Sequence, residues 1–191
     1  MDPVEKAASV LRHDGLVIYP TDTLYGLGAD ALSEEAIARV YEAKRRPFSA
    51  PISVAVCSCD MIHGVARVND YAAGFIDRFL PGPVTVVLPA RNSLPGILTG
   101  GTGLIGIRIP RHPVALRLIE LLDSPITATS ANTSGARDPV VPGDCNVPHD
   151  FMIDGGRLPG TASTVIDLGS LTIIRPGADL EQVLAYISAR E

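Results

Sequence analysis

The segment LVIYPTDTLYGLGAD, residues 16–30, decides how the first part of the chain folds. Its apolar beginning, Leu16 to Tyr19, is typical of a short buried strand. The rest, Pro20 to Asp30, starts with a proline and carries two glycines, a composition that predicts an irregular stretch. Side chains displayed where a strand ends are well placed for binding, so the threonines of this stretch are candidate site residues.

A helix is predicted on each side of this segment. The first begins after Asp2 as N-cap and stops at Gly15. The second begins after Ser33 as N-cap and ends with the three cations of residues 44–46, because Pro47 cannot continue a helix. The second helix is therefore expected to present one lysine and two arginines at its C-terminal end.

The rest of the chain mixes further strands and helices. Helices are predicted at Asp70 to Leu80, at Pro113 to Leu122 and, with Asp179 as N-cap, near the end of the chain. Strands are predicted at Ile52 to Val56, Val84 to Leu88, Leu104 to Ile109, Ile126 to Thr129, Ser163 to Leu168 and Leu171 to Arg175. The long polar connection from Ser130 is expected to be functional or mobile. Because strand and helix do not alternate strictly, we expect an α/β fold with a mixed, twisted β-sheet and helices packed on it.

Length and composition favour one domain. The chain has 191 residues, of which 46% are hydrophobic, and this suffices for one sizeable core over residues 1–191. The sequence contains no apolar run of the length that crosses a bilayer, and its first residues lack the pattern of a signal peptide. A cytoplasmic protein without a membrane partner is therefore expected.

Charge and cysteine content argue against several classes of protein. The formal net charge of −5 argues against a protein that coats nucleic acid through its overall charge, although a local basic pocket is compatible with it. Three cysteines without an export signal do not suggest a disulfide framework, and they are too few for a closed zinc site. No metal site is expected. Fourteen arginines accompany only two lysines, Lys6 and Lys44, so Lys44 at a helix end is a candidate site residue.

Other familiar motifs have the wrong context. Residues 26–31 match the dinucleotide pattern G-x-G-x-x-A, but the strand before them ends near Tyr19 and the next helix begins near Ser33. A P-loop motif is absent from the sequence. Residues 130–132 resemble one element of the serine β-lactamases, but the S-x-x-K and K-T-G elements are missing. These three enzyme classes are therefore disfavoured.

Cations and hydroxyl or amide side chains recur at the ends of the predicted elements. They are Thr21, Thr23, Lys44, Arg46, Arg108, Ser130, Asn132, Ser163 and Arg175. Each of them is also explained singly, by the helix dipole or by a turn. Together they match the needs of an anionic, nucleotide-like ligand, because arginine binds phosphate or carboxylate through two hydrogen bonds and lysine supplies a compact charge.

Seven short motifs follow one another along the chain. They are PTDTLYGLG at 20–28, KRRP at 44–47, FLPGPVT at 79–85, IRIP at 107–110, SAN at 130–132, STVI at 163–166 and RPG at 175–177. In this order they resemble the YrdC family of threonylcarbamoyl-adenylate synthases over nearly the whole chain. The family signature pairs K-x-R with S-x-N, which are here Lys44, Arg46, Ser130 and Asn132. The resemblance is to the short, single-domain form.

This resemblance implies a fold and an activity. The implied fold is YrdC-like, with a twisted sheet whose concave face forms a basic cavity. The implied enzyme is a nucleotidyltransferase that makes threonylcarbamoyl-AMP and pyrophosphate from L-threonine, bicarbonate and ATP, with Mg²⁺, for the modification of tRNA. Its implied partners are these substrates, a downstream threonylcarbamoyl transferase complex and tRNA itself.

The same resemblance implies residue roles. Lys44, Arg46, Asn132 and Arg175 are expected to bind the nucleotide, and Lys44 and Arg46 are also expected to be catalytic. Thr23, Arg108, Ser130 and Ser163 are expected to hold threonine or its carbamoylated form. Ala55 departs from the pattern, since it lies where two-domain members have a histidine.

Two alternatives stay open at this point. One is a module of the same fold that binds RNA on a concave basic face without catalysis. The acidic net charge and the nine aromatic residues weigh against it, because single-stranded RNA is bound largely by stacking on aromatic rings. The other is a relative that forms a different carbamoyl-adenylate.

Overall fold

The computed structural model describes residues 2–189, so Met1, Arg190 and Glu191 of the predicted domain lie outside the described residues. Within this range the helices are α1 Pro3–Leu11, α2 Glu34–Lys44, α3 Cys59–Val65, α4 Asp70–Phe79, α5 Pro113–Leu122 and α6 Leu180–Ser188. The strands are β1 Val17–Tyr19, β2 Gly26–Gly28, β3 Val54–Ala55, β4 Val84–Pro89, β5 Leu104–Arg108, β6 Ile126–Thr127, β7 Thr129–Ser130, β8 Phe151–Met152, β9 Thr164–Asp167 and β10 Thr172–Arg175. The described residues include no helix that is both long and apolar enough to cross a membrane.

The strands form two mixed sheets. The larger has the order β10-β9-β4-β5-β3-β6, and in it β4 pairs parallel with β9 and antiparallel with β5. The smaller has the order β7-β2-β1-β8, and in it β1 pairs antiparallel with β2 and parallel with β8. The α/β class with mixed strand directions is thus confirmed, whereas the expectation of a single sheet is corrected to two.

One short segment connects the two sheets. The predicted strand Ile126 to Thr129 divides at Ala128, so that β6 pairs with β3 in the larger sheet and β7 pairs with β2 in the smaller. Beside the division, the Thr127 N–H donates to the Ala29 carbonyl oxygen at 2.9 Å, and the Ala29 N–H donates to Thr127 Oγ1 at 3.0 Å. Both halves are extended, so their side-chain pattern does not reveal the change of partner.

The two glycines of residues 16–30 belong to a strand, β2. The stretch Pro20 to Asp30 was expected to be irregular, but it contains β2, in which Gly26 lies opposite Tyr19 of β1. A Cβ atom on Gly26 would lie 2.8 Å from Cζ of Tyr19, and one on Gly28 would lie 3.0 Å from Cε1 of the same ring. Glycine is therefore required here because the buried Tyr19 ring crosses the face of β2.

We expect Gly26→Ala to lower the free energy of unfolding by about 1–3 kcal/mol, because the added methyl group displaces a buried aromatic ring. Gly64→Ala is the matched control, since a Cβ at Gly64 in α3 meets no atom within 4 Å. The control should raise stability by up to about 1 kcal/mol, because alanine is the better helix former. Urea unfolding of both variants measures the difference, and equal effects would contradict this explanation of Gly26.

The end of α2 is fixed as the sequence predicted. Ser33 Oγ accepts a hydrogen bond from the Ala36 N–H at 3.2 Å, and the helix ends at Lys44. Arg45 then adopts a left-handed conformation with φ of 51°, which turns the chain away from the helix axis. Lys44 and Arg46 therefore leave the same helix end by different routes.

Other helix predictions needed correction. The α5 bounds agree with prediction, but α1 ends at Leu11, earlier than Gly15, and α3 was not predicted. Asp179 is the N-cap residue of α6, as predicted, but it has a left-handed conformation with φ of 59° and its side chain makes no capping hydrogen bond. The helices pack in two buried hydrophobic clusters. Helices α1 and α5 share one cluster with Val17, whereas α2 and α4 contribute to the second, larger cluster.

Candidate functional site

The structure brings all eight predicted site residues to one cavity. It has a volume of about 350 Å³ and is lined by strands of both sheets, with Gly26 from the smaller and Val165 from the larger. The predicted residues on its wall are Thr23, Lys44, Arg46, Arg108, Ser130, Asn132, Ser163 and Arg175. Ala55 also lies on the wall. Residues spread over much of the chain therefore share one site, while their individual roles stay predictions.

The charged side chains on the wall are unequal in sign. Among the described lining residues, the cations are Lys44, Arg46, Arg108 and Arg175, and the carboxylate is Asp138. Three of the cations end regular elements or directly follow one, which is where the sequence placed them. The four cations make the wall chemically suited to an anionic ligand. The Asp138 carboxylate suits a positively charged group of that ligand or a cation bound beside it.

Lys44 is engaged by the segment around Asn132. Its ammonium group donates to the carbonyl oxygen of Ser130, to the carbonyl oxygen of Asn132 at 2.6 Å and to Asn132 Oδ1 at 3.5 Å. The side chain is only 2% exposed. Since an ammonium group has three protons, these contacts use its donor capacity within the protein.

The surroundings of Lys44 also change its acidity. Burial and the neighbouring Arg46 guanidinium lower the pKa of Lys44 to about 8, and the Asp138 carboxylate opposes the shift. The sign follows from the charge, because removal from water and a nearby cation both disfavour the ammonium form. Lys44 is therefore mainly charged at neutral pH and loses its charge as the pH rises above 8.

Asn132 connects Lys44 with the loop that follows. Its Oδ1 accepts a hydrogen bond from Ser130 Oγ at 2.6 Å, and its Nδ2 donates to the carbonyl oxygens of Ala136 at 2.8 Å and Arg137 at 3.0 Å. Residues 134–136 lie on the cavity wall. The S-x-N pair thus shapes the wall through hydrogen bonds within the chain, a role that the sequence did not suggest.

Arg46 holds the loop after α2. Its Nε donates to the carbonyl oxygen of Ala50 at 3.2 Å, and its Nη2 donates to that of Pro51 at 2.8 Å. The residue is half-buried, and its remaining N–H groups make no hydrogen bond with the described part of the chain. A guanidinium held by two carbonyl groups on one edge is oriented for a ligand at its other N–H groups.

Arg108 is the most firmly held cation of the wall. Its Nε donates to the carbonyl oxygen of Gly82 at 3.0 Å, its Nη1 to Thr23 Oγ1 at 2.7 Å and its Nη2 to Asp22 Oδ1 at 2.6 Å. Burial lowers the pKa of Arg108, and the Asp22 carboxylate counters this effect. Arginine stays protonated under such shifts, so the result is a fixed, paired cation.

Arg175 and Ser163 are neighbours on the cavity wall. The Arg175 Nη2 donates to the Ser163 carbonyl oxygen at 2.8 Å and to Ser163 Oγ at 2.9 Å. Ser163 Oγ also lies 2.9 Å from Thr85 Oγ1. The residue predicted for the amino acid and the residue predicted for the nucleotide are therefore direct neighbours.

Sequence reasoning missed Asp22, Thr85 and Asp138. Asp22 lies between two threonines that were singled out, but its partner Arg108 is 86 residues away. Thr85 begins no element, because it is the second residue of β4. Asp138 belongs to a polar connection in which any carboxylate is ordinary, so only the fold reveals its position on the wall.

Potential metal ligands are not clustered in the part of the chain that the structure describes. Among residues 2–189, no group of three or more histidine, cysteine, aspartate or glutamate side chains is placed to hold a metal ion. The three cysteines are unpaired.

Known proteins match this chain over most of its length. The profile of the Sua5, YciO and YrdC family, described as telomere recombination, matches residues 9–177. A threonylcarbamoyl-AMP synthase of Pyrococcus abyssi is 40% identical over 195 residues, which cover 95% of this chain and 57% of that protein. A putative threonylcarbamoyl-AMP synthase of Methanocaldococcus jannaschii is 40% identical over 164 residues, covering 83% of this chain and 77% of that protein.

Solved structures share the fold. The P. abyssi Sua5 protein complexed with L-threonine superposes with a TM-score of 0.87 at 38% identity, covering 95% of this chain and 57% of that one. The E. coli YciO structure superposes with a TM-score of 0.82 at 25% identity, covering 92% of this chain and 89% of that one. The chain spans only 57% of the length of its P. abyssi relative. By sequence and by fold, the chain belongs to the Sua5, YciO and YrdC family.

Proposed function

We propose that this chain is an L-threonylcarbamoyladenylate synthase, which makes threonylcarbamoyl-AMP and pyrophosphate from L-threonine, bicarbonate and ATP. One observation carries the proposal: the eight residues expected for the nucleotide and the amino acid line the same cavity. The names of the relatives and the L-threonine complex of the P. abyssi protein support the same reaction. We further propose that residues 1–191 form one YrdC-like domain.

The reaction needs positioning and charge neutralisation. The threonine nitrogen attacks the carbon of bicarbonate, water leaves, and a carbamate results. A carbamate oxygen then attacks the α-phosphorus of ATP, and the bond to pyrophosphate breaks. In this second step the anionic carbamate approaches the polyanionic triphosphate, so fixed cations should lower the barrier by neutralising charge. The step needs no covalent intermediate with the enzyme.

The cations divide this work according to their contacts. Arg46 is held by two carbonyl oxygens, and Arg175 is held by the carbonyl and hydroxyl oxygens of Ser163. Both arginines offer their other N–H groups to the phosphates. Lys44 adds positive charge at the wall, while its protons are directed to Ser130 and Asn132. Thr23, Arg108, Ser130 and Ser163 are our assignment for threonine and its carbamate.

Mg²⁺ fits this site as a companion of the phosphates. Magnesium keeps several water ligands and binds through one or two carboxylates together with substrate phosphates. Asp138 is the carboxylate that the described part of the wall offers. When bound there, Mg²⁺ would supply charge neutralisation on the triphosphate, and Asp138 would hold it.

The wider role follows from the product. A carbamoyl-adenylate is a reactive mixed anhydride, so a downstream threonylcarbamoyl transferase complex should consume it and deliver the group to tRNA. Direct contact with tRNA and a cytoplasmic location are part of this proposal. The cavity wall protects such an intermediate from water, and residues 134–136 of the loop contribute to that wall.

A single assay tests the proposed function. The purified chain is incubated with ATP, Mg²⁺, bicarbonate and each amino acid in turn, and the nucleotide product is identified by mass. We expect threonylcarbamoyl-AMP and pyrophosphate only when threonine and bicarbonate are both present. Steeply salt-dependent RNA binding without ATP turnover would instead favour a binding module, and a carbamoyl-adenylate lacking threonine would favour the related reaction.

The acidity of Lys44 predicts a pH dependence of nucleotide binding. Because its pKa is lowered to about 8, the affinity for ATP should fall as the pH rises through that value. Loss of one nearby positive charge should cost about tenfold, or about 1.4 kcal/mol. Calorimetric titration with ATP on both sides of pH 8 measures this, and Lys44→Arg, which stays charged, should lack the decline. An identical decline in the arginine variant would assign the titration to another group.

A further inference from the structure

Asp22 supports Arg108 from outside the cavity. Its Oδ1 lies 2.6 Å from Arg108 Nη2, and the two side chains are only 15% and 10% exposed. Asp22 is not a residue of the cavity wall, whereas Arg108 is. Arg108 is therefore the wall residue through which Asp22 contacts the site directly.

The contacts of Arg108 leave a defined surface for a ligand. A guanidinium has five N–H groups, and Gly82, Thr23 and Asp22 each accept one of them. One N–H on each terminal nitrogen is left over. Because the partners hold three different nitrogens, the group cannot rotate, and the remaining donors keep a fixed direction.

The charge of Arg108 is balanced, unlike that of the other cations. Within residues 2–189, Lys44, Arg46 and Arg175 form no ion pair with a carboxylate, whereas Arg108 does. The Asp22 pair is largely shielded from solvent, so dissolved salt screens it little. The cavity wall consequently combines one electrically neutral corner at Arg108 with three cations that lack a paired carboxylate.

We propose that Asp22 is a positioning residue that sets ligand specificity, because it keeps the Arg108 corner neutral and thereby selects a zwitterion over a phosphate. The inference rests on the proposed function. An amino acid has no net charge, so two directed N–H donors suffice for its carboxylate. A phosphate dianion needs net positive charge to offset its loss of hydration, and the Arg108 corner has none because Arg108 is paired with Asp22. ATP is thereby directed to the other cations, and the amino-acid corner stays open.

The test removes the charge of Asp22 and keeps its shape. Asp22→Asn retains an oxygen that accepts the Arg108 N–H, and L-threonine binding is measured by calorimetry at rising inorganic phosphate and constant ionic strength. We expect phosphate to compete with L-threonine at a concentration at least about tenfold lower in the variant than in the wild type. Asp22→Ser is a second neutral variant with the same expectation, in case the asparagine variant does not fold.

Two further variants control for the change in charge. Asp138→Asn also removes one negative charge, but from a wall residue that does not pair with Arg108. It should strengthen phosphate binding without making phosphate compete with L-threonine. Asp150→Asn breaks the half-exposed ion pair between Asp150 and Arg39, which lies outside the cavity and has an N–O distance of 2.9 Å. This variant should change the affinity for neither phosphate nor L-threonine. The inference would be overturned if phosphate competed with L-threonine in both Asp22 variants no better than in the wild type. It would also be overturned if phosphate competed as well in Asp138→Asn as in the Asp22 variants.

The outcomes separate this inference from the proposed function. Normal synthesis and normal L-threonine binding without any new phosphate competition would overturn the role of Asp22 alone. Absence of L-threonine binding in the wild type would overturn the proposed function and this inference together.

Discussion

Lys44→Met is expected to lower threonine- and bicarbonate-dependent pyrophosphate release by at least about tenfold, equivalent to about 1.4 kcal/mol of barrier. Methionine keeps the unbranched stem of the side chain but removes its charge and its three donors. The carbonyl oxygens of Ser130 and Asn132 then lose their partner in a buried position. The variant should therefore lose the positive charge that we propose acts on the nucleotide, and it should also lose order in the loop that follows Asn132.

Arg46→Met is the matched control for this variant. Arg46 donates to Ala50 and Pro51, and it makes no hydrogen bond to residues 130–138. Arg46→Met should also reduce pyrophosphate release by about tenfold or more, because it removes the N–H groups that we propose bind the phosphates. Hydrogen exchange then distinguishes the two: amides of residues 133–138 should exchange faster in Lys44→Met only. Unchanged release in Lys44→Met would contradict its place in the site.

The sequence indicated which residues share the cavity wall, but it did not indicate their contacts. The helix end that carries Lys44 and Arg46 was predicted from a serine N-cap and a proline, and such signals act over a few residues. The partners of Lys44 are 86 and 88 residues away. No local pattern encodes that distance, so the hydrogen bonds from Lys44 to Ser130 and Asn132 required the fold.

The same limit explains the errors in the fold. The strand Ile126 to Thr129 was predicted as one unit because its halves share an extended pattern, yet they belong to different sheets. The glycines of β2 were interpreted as a loop, since the reason for them is the ring of Tyr19 on the neighbouring strand. Periodicity and turn chemistry describe a residue's own segment, whereas both features depend on another segment.

Arg108→Met is expected to lower the free energy of unfolding by about 3 kcal/mol or more, because it leaves the Asp22 carboxylate in a poorly hydrated position without its cation. The Asp22 side chain is only 15% exposed in the pair. Gly82 and Thr23 each lose a donor as well. Urea unfolding measures this loss, and calorimetry should find that L-threonine binding is lost with it.

The double variant Arg108→Met, Asp22→Asn separates folding from binding. With the carboxylate removed, no uncompensated charge is left, so the double variant should recover a large part of the stability that Arg108→Met loses. It should not recover L-threonine binding, because the two N–H donors of Arg108 are still missing. Recovery of both properties would show that Arg108 supports only the fold, and recovery of neither would show that the pair is not the source of the instability. The expected split, with stability restored and binding absent, makes Arg108 a ligand contact whose position depends on Asp22.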